Sequence, residues 1–184
     1  MPEDDLSMKC LGLLRHAKSD WDDLALRDFE RGLNERGKRG AKVMGDHIRK
    51  HGIHWDQVLA SPATRVKRTL EAAHVDAPIT WEKRAYLADA QSLIDLLKAT
   101  TGNPERLLLA GHNPGLQQLI LELVAEDQRN DLLSAVAKKY PTATYAVLKL
   151  NIDDWADCDV GCGSLVYLAR PRDLDPELGP QVTG

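Results

Sequence analysis

Short apolar runs alternate along this chain with segments whose apolar positions recur every three or four residues. The first pattern predicts buried strands and the second amphipathic helices. Residues 11–14 (Leu-Gly-Leu-Leu), 58–60 (Val-Leu-Ala) and 107–110 (Leu-Leu-Leu-Ala) are too short for helices and apolar throughout, which is how strands covered on both faces read. Residues 146–150 and 165–168 predict two later strands. Ala41, Met44 and Ile48 mark a first helix, opened by Asn34 as N-cap and stopped at Gly52. Val66, Leu70 and Ala73 mark a second, with Ser61 as cap and Pro62 at its first position. Leu93, Leu96 and Leu97 mark a third. Leu116, Leu119, Ile120 and Leu123 mark a fourth, with Asn113 as cap and Pro114 next.

Strands alternating with helices predict an α/β fold with a largely parallel sheet. At 184 residues the chain is expected to form one domain, 1–184, with tails at 1–7 and 171–184 that are flexible or extended. Residues 18–33 are polar and lack periodicity, and a structureless stretch of that length inside a domain is often functional. Trp21 and Phe29 within it are expected to pack the loop down, the alternative being a partner-facing patch.

Composition narrows the function. The net charge of −4 gives no basis for a nucleic-acid surface, so an anionic ligand needs a local cationic pocket, which Arg15, Lys18 and Arg65 can supply. No apolar run approaches the roughly 20 residues of a membrane span, so no membrane contact is expected. Three cysteines and an acidic beginning, Met1-Pro2-Glu3-Asp4-Asp5, point away from a secreted disulfide framework and toward the cytoplasm. A monomer or weak oligomer is expected.

Each of the three apolar runs stops at phosphate-binding chemistry: Arg15-His16-Ala17-Lys18-Ser19, Ser61-Pro62-Ala63-Thr64-Arg65 and Gly111-His112-Asn113-Pro114-Gly115. Ligand sites in open parallel sheets lie beyond the carboxyl ends of the strands. If these three strands are neighbours, two histidines and two arginines converge. A histidine ending a buried strand is often only a core residue bonded to backbone, but an adjacent arginine is rarely buried without a partner. A neutral imidazole is a competent nucleophile toward phosphorus, and nearby guanidinium groups disfavour its protonation while binding oxyanions bidentately. Arg65 falls in the first turn of a helix, where a cation is unfavourable unless an anion sits there too. His112 poses the same question and has the same answer. Lys18, Ser19 and Asn113 are further candidates for substrate contact, although Asn113 suits a cap better. Thr69 is expected to pack or bond back to its own helix.

Weaker patterns point elsewhere. His47, His51 and His54 are spaced for a metal but lack the accompanying glutamate, and Cys158 and Cys162 have no second pair, so no metal is expected. Neither a P-loop nor a Gly-x-Gly-x-x-Gly fingerprint is present. The segment from Glu30-Arg31 to Lys38-Arg39 reads as a solvated face, with Arg31 near enough to the loop to touch a substrate.

Arg15-His16 at a first strand end, Arg65 within Ser-Pro-x-x-Arg and His112 within Gly-His-Asn resemble the histidine phosphatase superfamily, which includes the phosphoglycerate mutases. The likeness runs in order over residues 9–170. Arg-His-Ala-Lys-Ser-Asp-Trp, with Ala17 where the family usually has glycine, followed by Leu33-Asn34-Glu35-Arg36-Gly37, resembles the small SixA-type branch of phosphohistidine phosphatases. The resemblance implies a three-layer α/β/α sandwich around a mostly parallel, phosphoglycerate-mutase-like sheet. It also implies transient phosphorylation of His16, a cradle of Arg15, Arg65 and His112, and no cofactor.

Members that cleave phosphoesters carry an acidic proton donor after the second helix, because an alcohol leaves poorly without one. Asp89 is the candidate here, but it fits better as the cap of the third helix. The expected substrate is therefore phosphohistidine on a protein. The alternative is a small phosphorylated molecule, a phosphoester, with Asp89 or Glu82 as general acid.

Overall fold

A computed structural model describes residues 8–180. Its centre is a six-stranded sheet: β1 (Lys9–Arg15), β2 (Gln57–Ala60), β3 (Ile79–Trp81), β4 (Arg106–Gly111), β5 (Tyr145–Leu150) and β6 (Gly163–Ala169). The spatial order is β3-β2-β4-β1-β5-β6. β3, β2, β4 and β1 pair in parallel, while β5 is antiparallel to both β1 and β6. The three strands that end in candidate chemistry are therefore neighbours, in the order β2, β4, β1.

Among the described residues six helices flank the sheet: α1 (Glu35–Lys50), α2 (Thr64–Ala73), α3 (Ala90–Lys98), α4 (Gly115–Leu123), α5 (Asp131–Lys138) and α6 (Pro171–Leu174). Side chains alternate across a strand, and this alternation builds two cores. Leu11 and Leu13 of β1, Leu107 and Leu109 of β4, and Leu148 and Leu150 of β5 face the core under α3, α4 and α5. Cys10 and Leu14, Leu108 and Ala110, and Tyr145 and Val147 face the core under α1 and α2. The result is a three-layer α/β/α sandwich with a mostly parallel sheet, as expected. No helix among the described residues is long and apolar enough to cross a membrane.

Asn34 caps α1, its side chain accepting from the Gly37 N–H at 2.7 Å. α1 and α2 pack so closely that a Cβ on Gly45 would lie 2.1 Å from the Ala73 carbonyl oxygen. The start of α2 differs from expectation. Ser61 does not cap it; the helix begins at Thr64, and the Ser61 side chain serves His112 instead.

Three elements were not expected: the three-residue edge strand β3, α5, and α6. The segment expected as an extended tail at 171–184 is not extended over its described part. Pro171 opens α6, and Arg39 of α1 grips Asp175 at 2.5 Å and Glu177 at 2.7 Å. Proline at a helix start has its φ preset and lacks an N–H that would otherwise go unpaired. The expected tail at 1–7 and positions 181–184 lie outside the described residues.

Candidate active site

The end of β4 is tied to both of its neighbours, β1 and β2. The His16 N–H donates to the Gly111 carbonyl at 3.0 Å, and the Ser61 N–H donates to the Ala110 carbonyl at 3.1 Å. These bonds bring the three strand ends into one cluster, and the rings of His16 and His112 lie 5.3 Å apart.

His16 is buried, and its Nδ1 donates to the Ala17 carbonyl at 2.7 Å. A carbonyl can only accept, so Nδ1 carries the proton and Nε2 carries the lone pair. Burial pushes the His16 pKa down to about 4, with Arg15 and Arg65 adding to the effect and the Ala17 bond opposing it. His112 is 3% exposed and pushed down to about 3, by burial first, then by Arg65 and His16. Both rings are neutral at neutral pH. The Nε2 of His112 bonds to the Ser61 hydroxyl at 2.7 Å, and that hydroxyl accepts from the Ala63 N–H at 3.3 Å. This arrangement suits a serine that donates to Nε2, leaving Nδ1 as a donor. That Nδ1 is buried without a hydrogen-bond partner among the described residues, as is the Nε of Arg15. Two buried donors without acceptors fit an oxyanion.

Arg15 is held by its Nη1, which donates to the Tyr140 carbonyl at 2.9 Å. Arg65, 5% exposed in the first turn of α2, turns its guanidinium to Asp28. Thr69 fastens the helix to the end of β1. Its hydroxyl donates to the Arg65 carbonyl at 2.7 Å and accepts from the Ala17 N–H at 2.9 Å.

The model of the histidine phosphatase superfamily (branch 1) matches residues 11–92. An uncharacterized protein of Mycobacterium tuberculosis is 34% identical over 160 residues, covering 86% of this chain and all of that protein. The crystal structure of a proposed phosphohistidine phosphatase SixA from Agrobacterium tumefaciens is 30% identical with a TM-score of 0.73, covering 89% of this chain and 98% of that one. The chain belongs to the histidine phosphatase superfamily, in its SixA-type branch. A proposed SixA from Nakamurella multipartitia is 25% identical with a TM-score of 0.80, covering 89% of this chain and 96% of that one. The SixA-type assignment makes the protein a hydrolase of the phosphatase class.

Around the cluster, this SixA-type phosphatase carries residues that sequence reasoning missed. Asp28, in a 3-10 turn of the 18–33 loop, accepts from Arg65 Nη1 through its carbonyl at 2.8 Å and from Nη2 through its carboxylate at 3.0 Å. Tyr86 donates its hydroxyl to the same carboxylate at 2.5 Å, and its ring stands edge-on to His112 at 5.4 Å. Asp28 is consequently held below the usual carboxylate range, by the Tyr86 bond first and Arg65 after it. Ser61, expected as the cap of α2, is bonded to His112 instead.

Other candidates fall outside the cluster. Asp89 caps α3, accepting from the Ser92 N–H at 2.8 Å, and that bond lowers its pKa. Glu82 faces Arg84 at 3.6 Å. Asn113 is a structural tie: it donates to the Tyr140 carbonyl at 3.0 Å and accepts from the Gln117 N–H at 3.2 Å. Ser19 pairs with Leu33 across the neck of the loop, and Lys18 is exposed and lines a separate cavity. Arg31 is buried rather than solvated. Its guanidinium bonds the Asp23 and Leu26 carbonyls, both at 3.0 Å, and stacks 4.1 Å from the Trp21 ring. Trp21 does not pack the loop down, because 59% of it remains exposed. Among the described residues no cluster of metal-binding side chains occurs, and His47 and His51 stack on Tyr167.

Proposed function

We propose that this phosphatase hydrolyses phosphohistidine carried on a protein, through a transient phosphohistidine on His16. The observation that carries the reading is the state of the nearby acids. Asp28 is held ionised by Tyr86 and Arg65, and Asp89 by the Ser92 N–H. A general acid needs its proton and a raised pKa; these carboxylates are shifted the other way. The site therefore suits a leaving group that collects its own proton, and an imidazole does so from water near neutral pH.

The chemistry then follows the geometry. The Nε2 lone pair of His16 attacks phosphorus, and the P–N bond to the substrate imidazole breaks. Its electron pair stays on that nitrogen, which is protonated by water. Arg15, Arg65 and the Nδ1–H of His112 hold the phosphoryl oxygens as charge develops on them. Water then attacks phosphorus, the bond to His16 breaks, and phosphate leaves with His16 neutral again.

A protein-borne substrate also fits the rim. Leu24 is 80% exposed and Leu87 54%, alongside Trp21, and these side chains sit on the loop and the Tyr86 segment that flank the cluster. Exposed apolar side chains on the segments that reach the cluster suit a macromolecular partner. The free thiols of Cys10, Cys158 and Cys162 fit a reducing compartment, and we place the protein in the cytoplasm.

The test is phosphate release from a histidine-phosphorylated carrier protein beside a panel of small phosphoesters, with His16→Ala as control. Release from the carrier that the substitution abolishes supports the reading. Release mainly from phosphoesters overturns it in favour of a small-molecule phosphatase.

A further inference from the structure

Ala17 and Lys18 directly follow His16, and they also form one wall of a separate cavity of about 210 Å³. The other walls come from the first turns of α1, from residues 139–143 and from the C-terminal segment that turns back over α1. None of Arg15, His16, Arg65 or His112 lines it. Its charge is one-sided. Lys18, Arg36, Lys139, Arg170 and Arg172 line the cavity, and no aspartate or glutamate does, in a chain whose net charge is −4.

Little of that charge is neutralised. Arg170 pairs with Asp173 at 2.9 Å, and the same carboxylate also feels the charge of Arg172. Arg36 donates to the carbonyls of Glu177 and Gly179, which orient the guanidinium without cancelling its charge. The buried Nε of Arg172 has no hydrogen-bond partner among the described residues. Lys18 and Lys139 are exposed, and neither forms an ion pair with another described residue. The floor is built by close packing: a Cβ on Gly37 would lie 2.2 Å from the Lys18 carbonyl oxygen. Ala143, at the back, holds the left-handed φ of 57° and donates its N–H to the His16 carbonyl at 3.0 Å. Such backbone is uncommon for a residue with a Cβ and tends to collect at functional sites.

We infer that this cavity is a second, noncatalytic anion site that binds a small, multiply charged anion bearing phosphate or carboxylate groups. One-sided charge in a concave, partly apolar pocket attracts such ligands from a solution in which the protein as a whole repels them. The volume suits a compact polyanion and is small for a drug-sized ligand. The inference does not depend on which phosphorylated substrate the active site takes.

The test uses inorganic pyrophosphate and calorimetric titration of the full chain carrying Arg65→Ala and His112→Ala, which dismantles the catalytic cradle. Pyrophosphate is expected to bind this protein at one site. Adding Lys139→Glu and Arg172→Ser is expected to weaken binding at least tenfold, whereas Lys98→Glu on the exposed end of α3 leaves it within twofold. Failure to bind in the dismantled protein overturns the inference, as does equal weakening by Lys98→Glu. Should the cavity variant not fold, amide shifts induced by pyrophosphate in the parent decide the matter. Shifts at Gly37, Gly40 and Ala143 support the site, and shifts confined elsewhere overturn it.

Discussion

Asp28 occupies the N–H edge of the Arg65 guanidinium, accepting one bond at its backbone carbonyl and one at its carboxylate. A carboxylate in that position aims Arg65, but it also places a negative charge beside the oxyanion cradle. Asp28→Asn keeps an acceptor for Arg65 and removes the charge. Inhibition by orthovanadate is expected to tighten about fivefold, on the order of 1 kcal/mol for charges a few ångströms apart in a well-screened setting. Weaker inhibition in the variant would mean that Asp28 matters by aiming Arg65 and not by screening it.

The two site imidazoles should titrate far below an ordinary histidine. With pKa values of about 4 for His16 and about 3 for His112, their ring resonances are expected to stay constant from pH 8 to pH 5 in a nuclear magnetic resonance titration of the free protein. A midpoint near 6.5 for either would show that its burial is not felt. The shift also sets a stability slope. In the unfolded chain these rings take up protons below about pH 6.5, while the folded protein resists until about pH 4 and then pH 3, so stability falls as the pH is lowered through that window. His16→Gln removes one such group. Its urea-unfolding free energy should lose up to about 1.4 kcal/mol per pH unit of that slope between pH 6 and pH 4.5.

The strand ends were readable because β1, β2 and β4 are covered on both faces, which forces uninterrupted apolar runs that stop where the chemistry starts. Arg15, His16, Arg65 and His112 stand out on those boundaries. Asp28 and Ser61 do not, because their roles depend on partners 37 and 51 residues away, and no local periodicity encodes which loop folds over which helix end. Arg31 was misjudged for the same reason: a charged side chain in a polar stretch reads as solvated until the loop closes on it. The C-terminal turn escaped notice because it is anchored by Arg39 of α1 and has no apolar stripe of its own.

The exposed rim offers a way to separate a protein substrate from a small one. Leu24 and Leu87 are chosen because both are exposed, and asparagine tolerates the left-handed φ of 49° at Leu87. Leu24→Ser with Leu87→Asn is expected to raise KM for a histidine-phosphorylated carrier at least fivefold, about the loss of one good interface contact. Turnover of free phosphohistidine should stay within twofold. Equal effects on both substrates would show that the rim shapes the site and does not meet a partner.

Asp89 decides between cap and acid, because the two roles respond oppositely to asparagine. As the cap of α3, its carboxylate accepts from the Ser92 N–H at 2.8 Å, and asparagine offers an equivalent oxygen. Asp89→Asn should therefore lower the unfolding free energy only slightly and leave phosphohistidine turnover unchanged. Asp89→Ala removes the cap and should lower stability by more than the asparagine variant does, again with turnover within twofold. An acid behaves differently: asparagine cannot supply its proton, so both variants would lose turnover of a phosphoester by about a hundredfold or more. Chemical denaturation and phosphate release on the same three proteins read the two roles independently. The lowered pKa of Asp89 argues for the cap, since a carboxyl stabilised as its anion by a helix N-terminus has already lost its proton at neutral pH and has none to give a leaving group.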